Sequence, residues 1–315
     1  MPPAQQDSTT ISTKQMREAI KQSGYLLEQR VEPIIRNAFG YVETNPIYKD
    51  PDTDKSCELD IYALSASRVY KNDMSFIFPI LLCECENNSQ PVVFFIGDTF
   101  LPFFGKHDLK LSGIPIKFWN DKVTEYMSLA DVVDLESSHH FCVGQVATQY
   151  CTFQMKKDKS NWIALHNDDQ HETFNKLIKA VNYEVTKHSE NWLLPDKAEE
   201  EPVNIQIYYP LVILQGDLFS ACLKNNRLIL RESNHIQFRK QFIRPEKNEA
   251  ETYQIDVIVE SFLPDYLKII EAEIDKIMKS LQHQKAKIRL SIEKIIEEAK
   301  KLKENQKSYR ELFEF

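Results

Sequence analysis

The run FIFPILLCECE at residues 76–86 limits the fold more than any other stretch of this chain. Its apolar part is short and bounded by polar turns, so it reads as a buried β-strand. The last residues break that pattern. Successive strand side chains point to opposite faces, so Glu84 and Glu86 share one face while Cys83 and Cys85 share the other. Like charges two residues apart repel, and partly buried carboxylates lose hydration. A divalent cation removes both penalties, and oxygen-only ligation suits a hard ion, Mg2+ or Mn2+. Asp60 opens the preceding strand, LDIYAL (59–64), and a hairpin partner brings it opposite Glu84. Glu28, on the first helix, can supply a fourth carboxylate. The alternative from spacing alone is a solvated Glu-x-Glu face with turn acids beside it.

The remaining segments suggest a soluble α/β protein with a mixed sheet. Residues 1–12 read as a disordered tail, with Ser12 and Gln15 forming a capping box that opens a helix over 13–39. Pro33 is expected to kink that helix or to start a second segment, and Gly40 to end it. Strands are expected at 41–48, 59–64, 76–86, 91–98, 204–214 and 251–262, the first two forming an antiparallel hairpin around the turn KDPDTDKSCE. TFNKLIKAVNYEV (173–185) reads as a helix. The domain so defined covers residues 13–262. From Pro264 onward Leu267, Ile274, Leu281, Ile288, Ile295 and Leu302 recur every seven residues, predicting one long coiled-coil-like helix in 263–315. Gln284, Ser291 and Glu298 interrupt the companion position. Homodimerisation or docking of a partner through this helix is expected, with folding back on the domain as the alternative.

Composition narrows the functions. Seven glycines include neither GxGxxG nor GxxxxGK[ST], which sets dinucleotide-binding and P-loop enzymes aside. Six scattered cysteines without a CxxC pair suggest reduced thiols, Cys83 and Cys85 being core filler, and the histidine spacing gives no sign of structural zinc. No apolar run reaches bilayer length and no secretory signal is evident, so a cytoplasmic protein without membrane contact is expected. A net charge of −8 excludes a uniformly basic surface but leaves room for a local basic groove.

The order Gly24-x-x-x-Glu28, then Glu58-Leu59-Asp60, then a strand ending Glu84-Cys85-Glu86, resembles the PD-(D/E)XK, or restriction-endonuclease-like, nuclease superfamily. The resemblance is good over the first hundred residues and loose over 130–215. It implies an αβββαβ core made of helix 13–39, strands 41–48, 59–64 and 76–86, and a final strand at 207–214. It also implies Mg2+- or Mn2+-dependent hydrolysis of phosphodiester bonds, with DNA as the expected substrate and restriction or antiviral defence as the setting. Asp60, Glu84 and Glu86 would be metal ligands and, with Glu28, the catalytic acids, Glu86 orienting or deprotonating water. Two departures stand out: Glu86 occupies the usual lysine position, and no proline precedes the first acid. A minority of restriction enzymes in that family carry Glu there and are active, whereas loss of the lysine also marks inactive relatives. Gln145 and Gln149, read as one helical turn apart, and Arg231, Arg239 and Lys240, in a basic tract, are the expected nucleic-acid contacts. The rival readings are a catalytically inactive scaffold or nucleic-acid-binding subunit, and a glycosidase. The last needs carboxylates on separate strands about 5–10 Å apart.

Overall fold

The apolar run at 76–86 becomes a twelve-residue strand, β6 (Phe76–Asn87), once β1 (Tyr41–Thr44), β2 (Ile47–Lys49), β3 (Ser56–Glu58), β4 (Ile61–Leu64) and β5 (Ser67–Arg68) have preceded it. Its long partner is β13 (Asn204–Gln215), parallel over the whole length from Asn204↔Phe76 to Gln215↔Asn87. The computed structural model describes residues 10–71, 74–97, 108–115, 117–119, 126–133, 135, 139–157, 161–166, 168–190, 201–244 and 249–305.

Both long strands contain a proline, which a central strand tolerates poorly because it lacks an N–H for the ladder. The pairing shows how they are accommodated. On its other edge β6 pairs with β5 through Phe76 and Ile77 and with β4 from Ile80 to Cys83, so Pro79 falls between the two partners. On its other edge β13 pairs with β8 (Leu111–Ile114) through Asn204–Ile207 and with β17 (Glu249–Val259) from Leu211 onward, so Pro210 falls in that gap.

These strands belong to a mixed sheet of thirteen strands among the described residues. The remaining members are β7 (Val92–Ile96), β11 (Val146–Met155), β12 (Trp162–Leu165), β14 (Leu218–Lys224), β15 (Arg227–Glu232) and β16 (His235–Arg244). Its main path runs β1-β4-β6-β13-β17-β16-β11-β7-β14-β15. β9 (Lys117–Trp119) and β10 (Tyr126–Ser128) form a separate ribbon, as do β2 and β3. The expected antiparallel pairing of the first strands is present, Tyr41↔Leu64 to Thr44↔Ile61. The expected single strand 41–48 is instead two, because Asn45 turns the chain at a positive φ of 52°.

Six α-helices are described. α1 (Thr13–Gln22) carries the expected Ser12–Gln15 capping box. α2 (Tyr25–Phe39) runs unbroken through Pro33, so the interruption of the 13–39 segment lies at Ser23-Gly24 and not at the proline. Gly40 ends α2 at a φ of 85°. α3 (Leu129–Val132) is short. α4 (Asp168–Glu190) covers one face of the sheet, burying Phe174, Leu177, Ile178 and Val181 against Leu82, Val212 and Val257. α2 covers the other face with α5 (Leu263–His283), burying Leu27, Val31 and Ile35 against Leu81, Cys83 and Ile213, and α6 (Lys285–Glu304) packs on α5 and β9.

The C-terminal segment corrects two expectations. It is two helices interrupted at Gln284, not one. Its heptad seam, including Ile270, Ile274, Ile277, Leu281, Ile288, Ile292 and Ile295, is buried in the chain's own core. The seam is apolar because it meets the sheet through α5 and β9 through α6, and buried Ser291 is tolerated because its hydroxyl donates to the Lys287 carbonyl at 2.8 Å. Residues 1–9 and 306–315, with parts of the expected tail and terminal helix, lie outside the described residues, as do 196–200. No helix among the described residues is long and apolar enough to cross a membrane.

Truncating this seam should therefore unfold the domain itself. Ile270→Ala and Ile292→Ala are each expected to lower stability by about 2–5 kcal/mol, read as a drop in the urea midpoint. Glu271→Ala, on the exposed side of α5, should stay within about 0.5 kcal/mol. A negligible effect of Ile292→Ala would show that α6 is not docked.

Candidate active site at the end of strand β6

Three elements deliver acids to the C-terminal half of β6. Asp60 lies in the bend before β4, and since Ile61 pairs with Cys83, continuing the register places Asp60 across from Glu84. Its Oδ2 accepts a hydrogen bond from the Cys85 N–H at 2.7 Å, which locks the bend onto the strand. Glu28 arrives from the first turn of α2. Gly24, just before that helix, lies against the same strand, close enough that a Cβ there would stand 3.4 Å from the Cys85 carbonyl oxygen. Burial raises the pKa of Asp60, and burial, then Asp60 and Glu58, raise that of Glu28.

Glu84 points to the opposite face from Cys83, towards α4, and is only 4% exposed. Its Oε2 accepts from Lys176 Nζ at 2.7 Å, while its Oε1 is buried with no hydrogen-bond partner. An unmet buried acceptor costs about 1–3 kcal/mol, and more when charged. Burial and then the Asp60 charge push the Glu84 pKa up to about 8, against the pull of Lys176. For Lys176, burial works against the charge, but Glu84, Asp60 and Glu86 outweigh it and its pKa is raised. The ammonium is thus charged, with 36% of its side chain exposed at the mouth of the site.

Asp60 lies within electrostatic reach of both Glu84 and Glu28, and Glu86 within reach of Glu84, but Glu86 is held by a different partner. Its Oε1 accepts from the Thr173 hydroxyl, on α4. Asp60, Glu84 and Glu86 do not close into a three-donor cluster. Among the described residues such groups are His139, His140 and Glu273, and His140, His235 and Asp256.

The expected nucleic-acid contacts are scattered. Gln149 is an exposed residue of β11, and Gln145 precedes that strand, so the helix expected there is absent. β11 is separated from β6 by β13, β17 and β16. Arg231 is exposed on β15, the strand at the end of the sheet path. Arg239 and Lys240 are adjacent on β16 and alternate between faces. Arg239 is tied to buried Asp108 by Nε–Oδ2 and Nη2–Oδ1 contacts of 2.5 and 3.3 Å. Lys240 contacts His171 Nδ1 at 3.1 Å, and burial lowers its pKa to about 8. These five side chains do not form one basic groove.

Lys176 was the residue missed by reading spacing along β6, because it comes from a helix ninety-two positions later. Its one sequence signal is position: Lys176 adjoins Leu177 and Ile178 in the apolar pattern of 173–185, placing it at the edge of the buried face.

Comparison with protein-family models, with curated proteins and with solved structures gave no match. The site must be read on its own geometry.

The raised Glu84 pKa carries a sign. The unfolded carboxyl loses its proton near the ordinary 4.5, whereas the folded one keeps it to about 8, so Glu84 makes folding stability fall as pH rises through that window. In EDTA, Glu84→Gln should remove this component. Urea unfolding should find the variant gaining on wild type by up to a few kcal/mol between about pH 5 and about pH 9. Parallel pH profiles would show that Glu84 does not titrate in this range.

Proposed function

We propose that this chain is a divalent-cation-dependent nuclease that hydrolyses phosphodiester bonds in DNA, of the PD-(D/E)XK type and at work in restriction or antiviral defence. The observation that carries the reading is the set formed by Asp60, Glu84 and Lys176: two desolvated acids and a charged lysine at the end of a central strand. The order of elements gives further support. α2 is followed by β1, β4 and β6 in antiparallel pairing, then by α4 on the opposite face, then by β13 parallel to β6, an αβββαβ succession.

The donor set fits a hard dication: the ligand atoms are all carboxylate oxygens, and Glu84 Oε1 is buried without a partner. Asp60 and Glu84 would hold the ion, with Glu28 acting at the rim through water. Bound there, Mg2+ or Mn2+ would lower the pKa of its water and offset charge growing on phosphorus. The other tasks fall to the chain. The Cys85 N–H fixes the direction of Asp60, and Lys176 supplies the positive charge that the family usually places at position 86. From the mouth of the site it would meet a phosphate oxygen and stabilise charge developing there. Glu86, whose Oε1 accepts from Thr173, would orient or deprotonate water.

The near-complete burial of Glu84 and its closed pair with Lys176 favour a second reading, a nucleic-acid-binding scaffold whose acids do not turn over.

Duplex DNA, single-stranded DNA and RNA incubated with Mg2+, Mn2+ or EDTA separate the two. Metal-dependent cleavage of DNA is expected, falling at least about 100-fold in Asp60→Asn, Glu84→Gln and Lys176→Met. Cleavage that survives Glu84→Gln would end the nuclease reading at this site. DNA binding without cleavage by the wild-type chain would favour the scaffold.

A further inference from the structure

A second polar cluster lies on the opposite face of the sheet, under α5. Asp256 of β17 is fully buried and Glu273 of α5 is 3% exposed. Among the described residues their ion partners are all histidines. His140, on a single 3-10 turn (His140–Cys142), sits between them. Its Nε2 lies 2.8 Å from Asp256 Oδ2 and its Nδ1 2.8 Å from Glu273 Oε1. His235, at the start of β16, brings Nε2 to 2.7 Å from Asp256 Oδ1. Tyr266 donates to Asp256 Oδ2 at 2.7 Å. The stacked ring of His139 has a buried Nε2 with no hydrogen-bond partner, 3.5 Å from Glu273 Oε2.

We infer that His140, His235 and Asp256 form a binding site for a borderline transition-metal cation, with Zn2+ the ion best suited to it. The donor atoms, two imidazole nitrogens and one carboxylate oxygen, lie within 4.8 Å of one another. Zinc bonds of about 2.0–2.2 Å set tetrahedral donors roughly 3.2–3.6 Å apart. The 2.7 and 2.8 Å contacts then need to open by somewhat over half an ångström. The surroundings are those a metal-bound histidine uses. Glu273 holds His140 Nδ1, which directs Nε2 to the site, and Tyr266 steadies the Asp256 carboxylate. Entry is from the His235 side, where that side chain is 18% exposed and Asp256 is closed. The nitrogen donors distinguish this site from the all-oxygen set around Glu84, and the ion would tie β16 and β17 to α5 through Glu273 and Tyr266.

The full chain, stripped with EDTA and dialysed, is titrated with Zn2+ and separately with Co2+. One Zn2+ per chain is expected by native mass spectrometry, and Co2+ should give the intense visible bands of tetrahedral coordination. His235→Ala should weaken Zn2+ binding at least about 100-fold and abolish those bands, while Asp60→Asn/Glu84→Gln leaves both unchanged. His235→Cys should restore binding and add a thiolate-to-Co2+ charge-transfer band, a signal that misfolding cannot produce. No zinc uptake by a folded wild-type chain would overturn the site. So would Co2+ bands that persist in His235→Ala, or a His235→Cys protein that folds, by circular dichroism, without the new band.

Discussion

The parallel pairing of β6 with β13 is the constraint on which the rest depends. Twelve consecutive residue pairs put both strands in the middle of the sheet, with helices on either face. A strand covered on both sides must be apolar on both sides, and β6 obeys until Glu84. That residue is buried because its strand is buried; Lys176 on the helix above meets one of its oxygens, while Asp60 on the adjoining bend opposes its ionisation. Were β6 an edge strand, the same Glu-x-Glu would be an ordinary solvated face.

The two faces of this sheet treat buried carboxylates differently. Around Glu84 a single lysine meets one oxygen and the other is left without a partner, and burial with the Asp60 charge pushes the carboxyl pKa up to about 8. Around Asp256 the hydrogen-bonded histidines overcome burial and hold the carboxyl well below its usual range, keeping it ionised. The first arrangement offers carboxylate oxygens and no nitrogen donor apart from the Lys176 ammonium. The second already has nitrogen donors in contact with the carboxylate. Both clusters bridge distant parts of the sequence, and both couple the sheet to a helix.

Much of the fold was legible because it rests on local rules. The strand periods, the Ser12 capping box, the Gly40 helix end and the antiparallel start all follow from side-chain alternation and capping chemistry. The heptad of the C-terminal segment was legible as well, but an apolar seam fits a second copy or its own sheet equally well by sequence. Only the packing of α5 on the sheet at β6 and β5, and of α6 on β9 and α5, decides that it is internal. A break at Pro33 does not occur for a related reason: local chemistry disfavours it, yet burial of Val31, Ile35 and Phe39 on the same face keeps the helix continuous through it.

Of the candidate site, the sequence by itself determined that Glu84 and Glu86 leave the strand on one face and that Asp60 starts its neighbour. Strand alternation and hairpin register act over a few residues, so they can be read directly. Only the tertiary structure decided that Lys176 closes on Glu84, that Thr173 draws Glu86 away, and that residues 140, 235, 256 and 273 meet beneath the last helices. Those contacts join segments from twenty to more than a hundred residues apart. They depend on how a curved sheet and its helices pack, which no short spacing encodes.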